Sequence, residues 1–84
     1  MTWRVTWEPV ALNAATGYLK EDPAGVDALL QATDQLAGNA RPEGSRAWGT
    51  EHRRLRSGPW RILYRIDEVA HALHIEHVGR ADVG

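Results

Sequence analysis

The sequence predicts an α+β domain in the order β-α-α-β-β-β, with an N-terminal strand and a helical hairpin packed on one face of a mainly antiparallel sheet. Three observations predict it: alternation with period two in residues 2–7, apolar positions at helical spacing through residues 9–37, and a return to period two from His52 onward. Neither helix can bury its apolar stripe alone, so hairpin and sheet must share one core. At 84 residues the chain has room for one such core, and residues 1–84 are read as a single domain.

Each element has its own signal. Trp3, Val5 and Trp7 alternate with polar residues, which puts them on one strand face that should be buried. Pro9 has the fixed φ of a first helical residue, and Val10, Ala11, Ala14, Ala15, Tyr18 and Leu19 follow at helical spacing. That helix stops near Glu21, because Pro23 disfavours helical geometry at the residue before it, and Asp22 is placed to cap the next helix. Val26, Leu29, Leu30, Thr33, Leu36 and Ala37 form the second stripe, ended by Gly38 and Asn39. Residues 38–50, with Gly38, Asn39, Pro42, Gly44 and Gly49, read as a loop. Strands are expected at residues 52–56, 60–66 and 70–78, separated by Ser57-Gly58-Pro59 and Asp67-Glu68-Val69.

Composition narrows the function classes. With 43% apolar and 25% charged residues the chain is an ordinary globular protein. It has no cysteine, which excludes disulfides, thiolate metal sites, iron–sulfur clusters and a Cys nucleophile. A small domain without such staples suits a reducing compartment, so a cytoplasmic location is expected. No apolar run approaches the roughly 18 residues needed to span a bilayer, and no membrane association or secretory leader is expected. Net charge is −1, but it is unevenly spread. Residues 1–40 carry two basic and five acidic side chains, residues 41–65 seven basic and two acidic, and residues 66–84 one basic and four acidic. A basic island in an acidic chain points to a local anion site.

Alternation in the second and third strands puts Leu55, Trp60, Ile62, Tyr64 and Ile66 on one side, and His52, Arg54, Arg56, Arg61, Leu63 and Arg65 on the other. Like charges side by side on a sheet repel, so this cationic face calls for an anion or for acidic partners within the chain, such as Glu76. Nine arginines against one lysine favour phosphate, whose oxygens match the planar guanidinium fork.

The stretch from Trp48 to Arg80 resembles the RelE/ParE superfamily of small bacterial toxins. The residues that carry the likeness are Trp48-Gly49, then Arg54-Leu55-Arg56-Ser57-Gly58-Pro59-Trp60-Arg61-Ile62-Leu63-Tyr64, then Val78-Gly79-Arg80. The element order agrees as well. Members of the family are toxins of toxin–antitoxin pairs: RelE-like ones cut messenger RNA in the ribosomal A site, and ParE-like ones poison DNA gyrase. The resemblance implies a ribosome-dependent endoribonuclease with a cognate antitoxin, the ribosome and mRNA as partners. It would be a monomer when free and a hetero-oligomer with the antitoxin, and it needs no cofactor or metal. The alternatives are a ParE-like gyrase inhibitor and a decayed toxin that retains only antitoxin binding.

Carried over by position, Arg61 matches the arginine that stabilises charge on the scissile phosphate, and Arg54 a basic residue that contacts or activates the nucleotide. Arg80 matches the basic residue after Val-Gly, assigned to binding or leaving-group protonation. Arg56 matches another member of the basic face, and it is expected to hold substrate together with Arg65 and Arg53. The implied reaction is attack by the ribose 2′-hydroxyl on the adjacent phosphorus, giving a 2′,3′-cyclic phosphate and a 5′-hydroxyl. The family ending V-G-x-R-x-x-V-Y appears here as Val78-Gly79-Arg80-Ala81-Asp82-Val83-Gly84, one residue shorter and with Gly84 where a tyrosine is usual.

Arginine is a poor general base because its pKa exceeds about 12. His52 is the preferred base, expected to be kept neutral by surrounding cations, with a plain surface histidine as the alternative. Glu76 is the other candidate, and pairing with Arg61 would make it structural. His71, His74 and His77 are a poor metal set, since strand alternation points His74 away from the other two. Trp3, Trp7 and Trp60 read as core. Trp48 either anchors its loop or touches a partner. Ser45 and Ser57 lack a triad arrangement.

Overall fold

The computed structural model describes residues 2–81, so the reading placed on Gly84 lies outside the described residues. The elements are β1 (Arg4–Trp7), α1 (Pro9–Leu19), α2 (Pro23–Leu36), β2 (Ser45–Trp48), β3 (His52–Ser57), β4 (Trp60–Asp67) and β5 (Ala72–Arg80). They build one five-stranded sheet in the order β1-β5-β4-β3-β2, in which β1 runs parallel to β5 and every other pair is antiparallel.

Local chemistry places the helices as expected. Pro9 and Pro23 open α1 and α2, where a missing N–H costs nothing. The Asp22 carboxylate caps α2 by accepting from the Gly25 N–H at 3.0 Å. Both helices pack on the side of the sheet that carries Leu55, Trp60, Ile62, Tyr64 and Ile66, with Ala11, Ala15, Val26, Leu29 and Leu36 facing them. Tyr64 is fully buried and its hydroxyl donates to the Ala40 carbonyl at 2.6 Å, pinning the chain that leaves α2. Burial pushes the Tyr64 phenol above its ordinary range.

Four expectations are corrected. Residues 45–48 are not loop but a strand, β2, paired with β3. Its residues are largely exposed on both faces, so no apolar alternation announces it. The helical stripes are narrower than the sequence spacing suggested: Val10, Leu19 and Leu30 are exposed. Trp3, Val5 and Trp7 are half-buried because β1 is an edge strand covered on one flank only. Strand β5 begins at Ala72 rather than residue 70, after His71 at φ 53, and its pairing with β4 skips Glu76.

That skip is a β-bulge, one extra residue opposite β4. It inverts the alternation, so that Ile75 and Val78 both face the core while His74 and His77 share the outer face. The expectation that His74 and His77 oppose each other is thereby corrected. The β3–β4 hairpin turns on Gly58 and Pro59, with Gly58 at φ 56 in the first central position, as a type II′ turn requires. No helix among the described residues is long and apolar enough to cross a membrane.

Candidate functional site

The helices cover one face of the sheet and leave the other open. Strand register arranges that open face in rows. One runs Thr6, His74, Arg65, His52 and Trp48. The next runs His77, Leu63, Arg54 and Arg46, and the last runs Gly79, Arg61 and Arg56. Four guanidiniums therefore stand in two adjacent rows. Among the described residues, Arg46, Arg54, Arg56 and Arg61 form no ion pair with a carboxylate.

Arg61 is held without being neutralised. Its Nη1 donates to the carbonyls of Gly58 at 2.8 Å and Trp60 at 2.9 Å, so the hairpin turn fixes the guanidinium and leaves its remaining N–H groups for a ligand. Opposite it, Gly79 has open space where a side chain would stand. Two hollows of about 390 and 400 Å³ flank this pair, and Arg54 and Arg61 line both. The first is completed by Trp48, Leu63, His77 and Gly79. The second is completed by Gly44, Arg46 and Arg56.

His52 stands one row away, about 7 Å along β3 from Arg54 at roughly 3.3 Å per residue. Its Nε2 lies 2.8 Å from Glu76 Oε1, and Arg65 Nε lies 3.4 Å from Glu76 Oε2. Glu76 thus pairs with His52 and Arg65, not with Arg61. The surroundings of His52 are mixed rather than purely cationic, correcting that expectation. A carboxylate oxygen can only accept, so this contact assigns a hydrogen to Nε2 and leaves Nδ1 as the accepting nitrogen of a neutral ring. His52 borders a third hollow, of about 260 Å³, with Arg53, Arg65 and Asp67.

Two expected site residues are placed elsewhere. Arg53 has the parity of Leu55 and lies on the helix side, donating to the Ser45 hydroxyl at 2.9 Å and the Ser45 carbonyl at 3.3 Å. Arg80 pairs with Trp60 and also points to the helix side. There its guanidinium lies over the Tyr18 ring at 5.0 Å and meets Asp22 at 3.3 Å and Glu21 at 3.9 Å. It ties the end of β5 to the α1–α2 junction and stands apart from Arg54 and Arg61. Strand parity therefore places Arg53 and Arg80 on the helix side of the sheet, not on the face that carries Arg54 and Arg61.

Two groups that line the groove are not assigned to the site by the sequence, which reads Trp48 as a loop anchor or partner contact and His77 only as a poor metal ligand. His77 is exposed beside Arg61, and only the Glu76 bulge brings it to this face. Trp48 is 54% exposed and carries the Arg54 guanidinium 4.7 Å from its ring centre. The remaining histidines are engaged otherwise: His71 stacks on Trp3 at 4.0 Å, and His74 Nδ1 lies 2.9 Å from the Thr6 hydroxyl. Among the described residues no group of three His, Asp or Glu is placed to hold a metal. The Asp67 carboxyl is held below its ordinary value near 3.8, chiefly because it accepts from the Ala70 N–H, helped by His74 and Arg65.

Comparison with known proteins finds no family model and no curated sequence that matches the chain. Solved structures do match. The RelBE2 toxin–antitoxin complex of Mycobacterium tuberculosis contains a chain 19% identical, with TM-score 0.81, covering 95% of this chain and 99% of that one. The RelE–RelB complex of Pyrococcus horikoshii gives 19% identity and TM-score 0.77 over the full length of both chains. The YoeB dimer of Staphylococcus aureus gives 15% identity and TM-score 0.74, covering 98% of this chain and 100% of that one. At these identities the likeness carries the fold alone: the strand order and helical hairpin described above are those of a RelE-like α+β domain.

Proposed function

We propose that this chain is the toxin of a type II toxin–antitoxin pair and that it cleaves messenger RNA on the ribosome. The observation that carries the proposal is that Arg54 and Arg61 line the same two hollows on the open face of a RelE-like sheet, with Arg46 and Arg56 beside them and no carboxylate partner among the described residues. Such a cluster is costly for the free protein and is offset by a phosphodiester.

In this reading the substrate phosphate lies against Arg54 and Arg61. The ribose 2′-oxygen attacks phosphorus as its proton passes to His52 Nδ1, whose tautomer Glu76 holds through Nε2. The P–O5′ bond breaks, and the 5′-oxygen takes a proton from His77, leaving a 2′,3′-cyclic phosphate and a 5′-hydroxyl. Arg61 stabilises the charge that develops on the non-bridging oxygens, a role worth roughly 3 to 4 kcal/mol for one donor. The His77 role replaces the one that resemblance assigned to Arg80.

The RelBE neighbours are toxin–antitoxin complexes. For this chain the proposed partner is a cognate antitoxin whose acidic or apolar side chains cover the Arg54 and Arg61 surface, in the cytoplasm. The deciding experiment is induced expression followed by primer extension on mRNA, with gyrase supercoiling measured alongside. Ribosome-dependent cuts with unaffected supercoiling are expected. Intact mRNA with inhibited supercoiling would replace this reading with a gyrase inhibitor, and neither activity would leave a toxin fold that only binds an antitoxin.

A further inference from the structure

The groove beside Arg54 has a wall that phosphate recognition does not need. Trp48 projects from the short edge strand β2 and is more than half exposed, whereas Trp60 is 2% exposed and Trp3 and Trp7 are packed against the core. The ring is not packed against the core, and the cation on it is itself a member of the open basic face. The Arg54 guanidinium lies 4.7 Å from its centre, and the ring closes the same hollow that Arg54, Arg61 and His77 line. The guanidinium covers one face of the ring and leaves the other for a base, so a nucleotide can stack on the ring while its phosphate meets the arginines.

We propose that Trp48 is a nucleobase-stacking platform, forming with Arg54 and Arg61 a subsite for one nucleotide of single-stranded RNA. Charge complementarity selects the occupant: the rim is cationic and unpaired among the described residues, and the floor is Leu63 and the bare backbone at Gly79. The hollow of about 390 Å³ is of the size that holds a small ligand. Stacking is tolerant of base identity but stronger for larger rings, so purines should be preferred over pyrimidines at this position. Edge placement serves the same end, because a base can approach Trp48 from the open side of β2 without displacing another strand. The inference rests on the RNA reading above, and it adds a binding group that no proton transfer requires.

The test is fluorescence anisotropy at low salt with a labelled, 2′-O-methylated hexanucleotide that cannot be cleaved, using the whole chain. Trp48→Ala is expected to weaken binding roughly five- to hundredfold, Trp48→Phe to restore most of it, and an adenine-rich probe to bind better than a uracil-rich one. Because Trp48 is exposed, neither variant should change the circular dichroism spectrum. Equal binding by wild type and Trp48→Ala, or no binding by the wild type, overturns the subsite. An acidic hexapeptide that binds with the same dependence on Trp48 overturns it in favour of a protein partner. Oligonucleotide binding that depends on Trp48 in a protein that leaves ribosome-bound mRNA intact supports the subsite and removes only the nuclease reading.

Discussion

Arg61 separates electrostatic from structural roles because, among the described residues, its side-chain hydrogen bonds go only to backbone carbonyls of its own turn. Arg61→Ala is expected to lower single-turnover cleavage about a hundred- to thousandfold while leaving the melting temperature nearly unchanged. Rapid-quench kinetics on programmed ribosomes, with calorimetry in parallel, checks both halves. The two histidines can be told apart by the leaving group. A substrate with a 5′-bridging sulfur needs no acid, so it should restore most of the activity lost in His77→Ala and little of that lost in His52→Ala. Equal rescue of both variants would remove the assignment. Of the residues named from sequence, Arg54, Arg56, Arg61, Arg65 and His52 do share a face, as period-two alternation requires. Arg53 and Arg80 do not, for the same geometric reason: each stands two residues from a core position, Leu55 or Val78, and pairs opposite another, Tyr64 or Trp60.

At the scale of elements, the junction between α1 and α2 is held from two sides. The Asp22 carboxylate accepts the Gly25 N–H and also receives Arg80 from the end of β5. Asp22→Ala removes the cap and the ion pair together, and it is expected to cost about 1 to 2 kcal/mol in urea denaturation. Arg80→Ala should cost less, since the cap survives and the surface pair is partly screened. Strand β2 escaped detection because it is four residues long, exposed on both sides, and paired only along one edge. The Glu76 bulge escaped for a different reason. A bulge leaves no composition signal, and only the register against β4 reveals that one residue of β5 has no partner.

For the whole molecule, acid stability follows the direction of the Asp67 carboxyl. Its folded value is lowered relative to the unfolded chain, so its contribution is fully present above about pH 3.8 and is lost as pH falls through the lowered value. The difference in melting temperature between wild type and Asp67→Asn should be constant near neutral pH and shrink below that point. Differential scanning calorimetry across acidic buffers measures it. The proposed association with RNA belongs to this scale too, because Arg46, Arg54, Arg56, Arg61 and Arg65 stand on one open face while the acidic segments lie to either side in sequence. Binding should therefore fall steeply with added salt, with a log–log slope set by the few phosphates that Arg54 and Arg61 contact rather than by net charge.

By itself the sequence determined the element types other than β2, the side of β3 and β4 that meets the helices, and the cationic character of the opposite side. These follow from periodicity, which is local and survives in a string of residues. The tertiary structure alone decided which cations stand together, what holds them, and what lines the groove between them. Those depend on register, and register is a relation between strands distant in sequence. One unpaired residue, Glu76, shows how much hangs on it: its bulge turns His77 toward Arg61 and lets its own carboxylate reach His52 and Arg65.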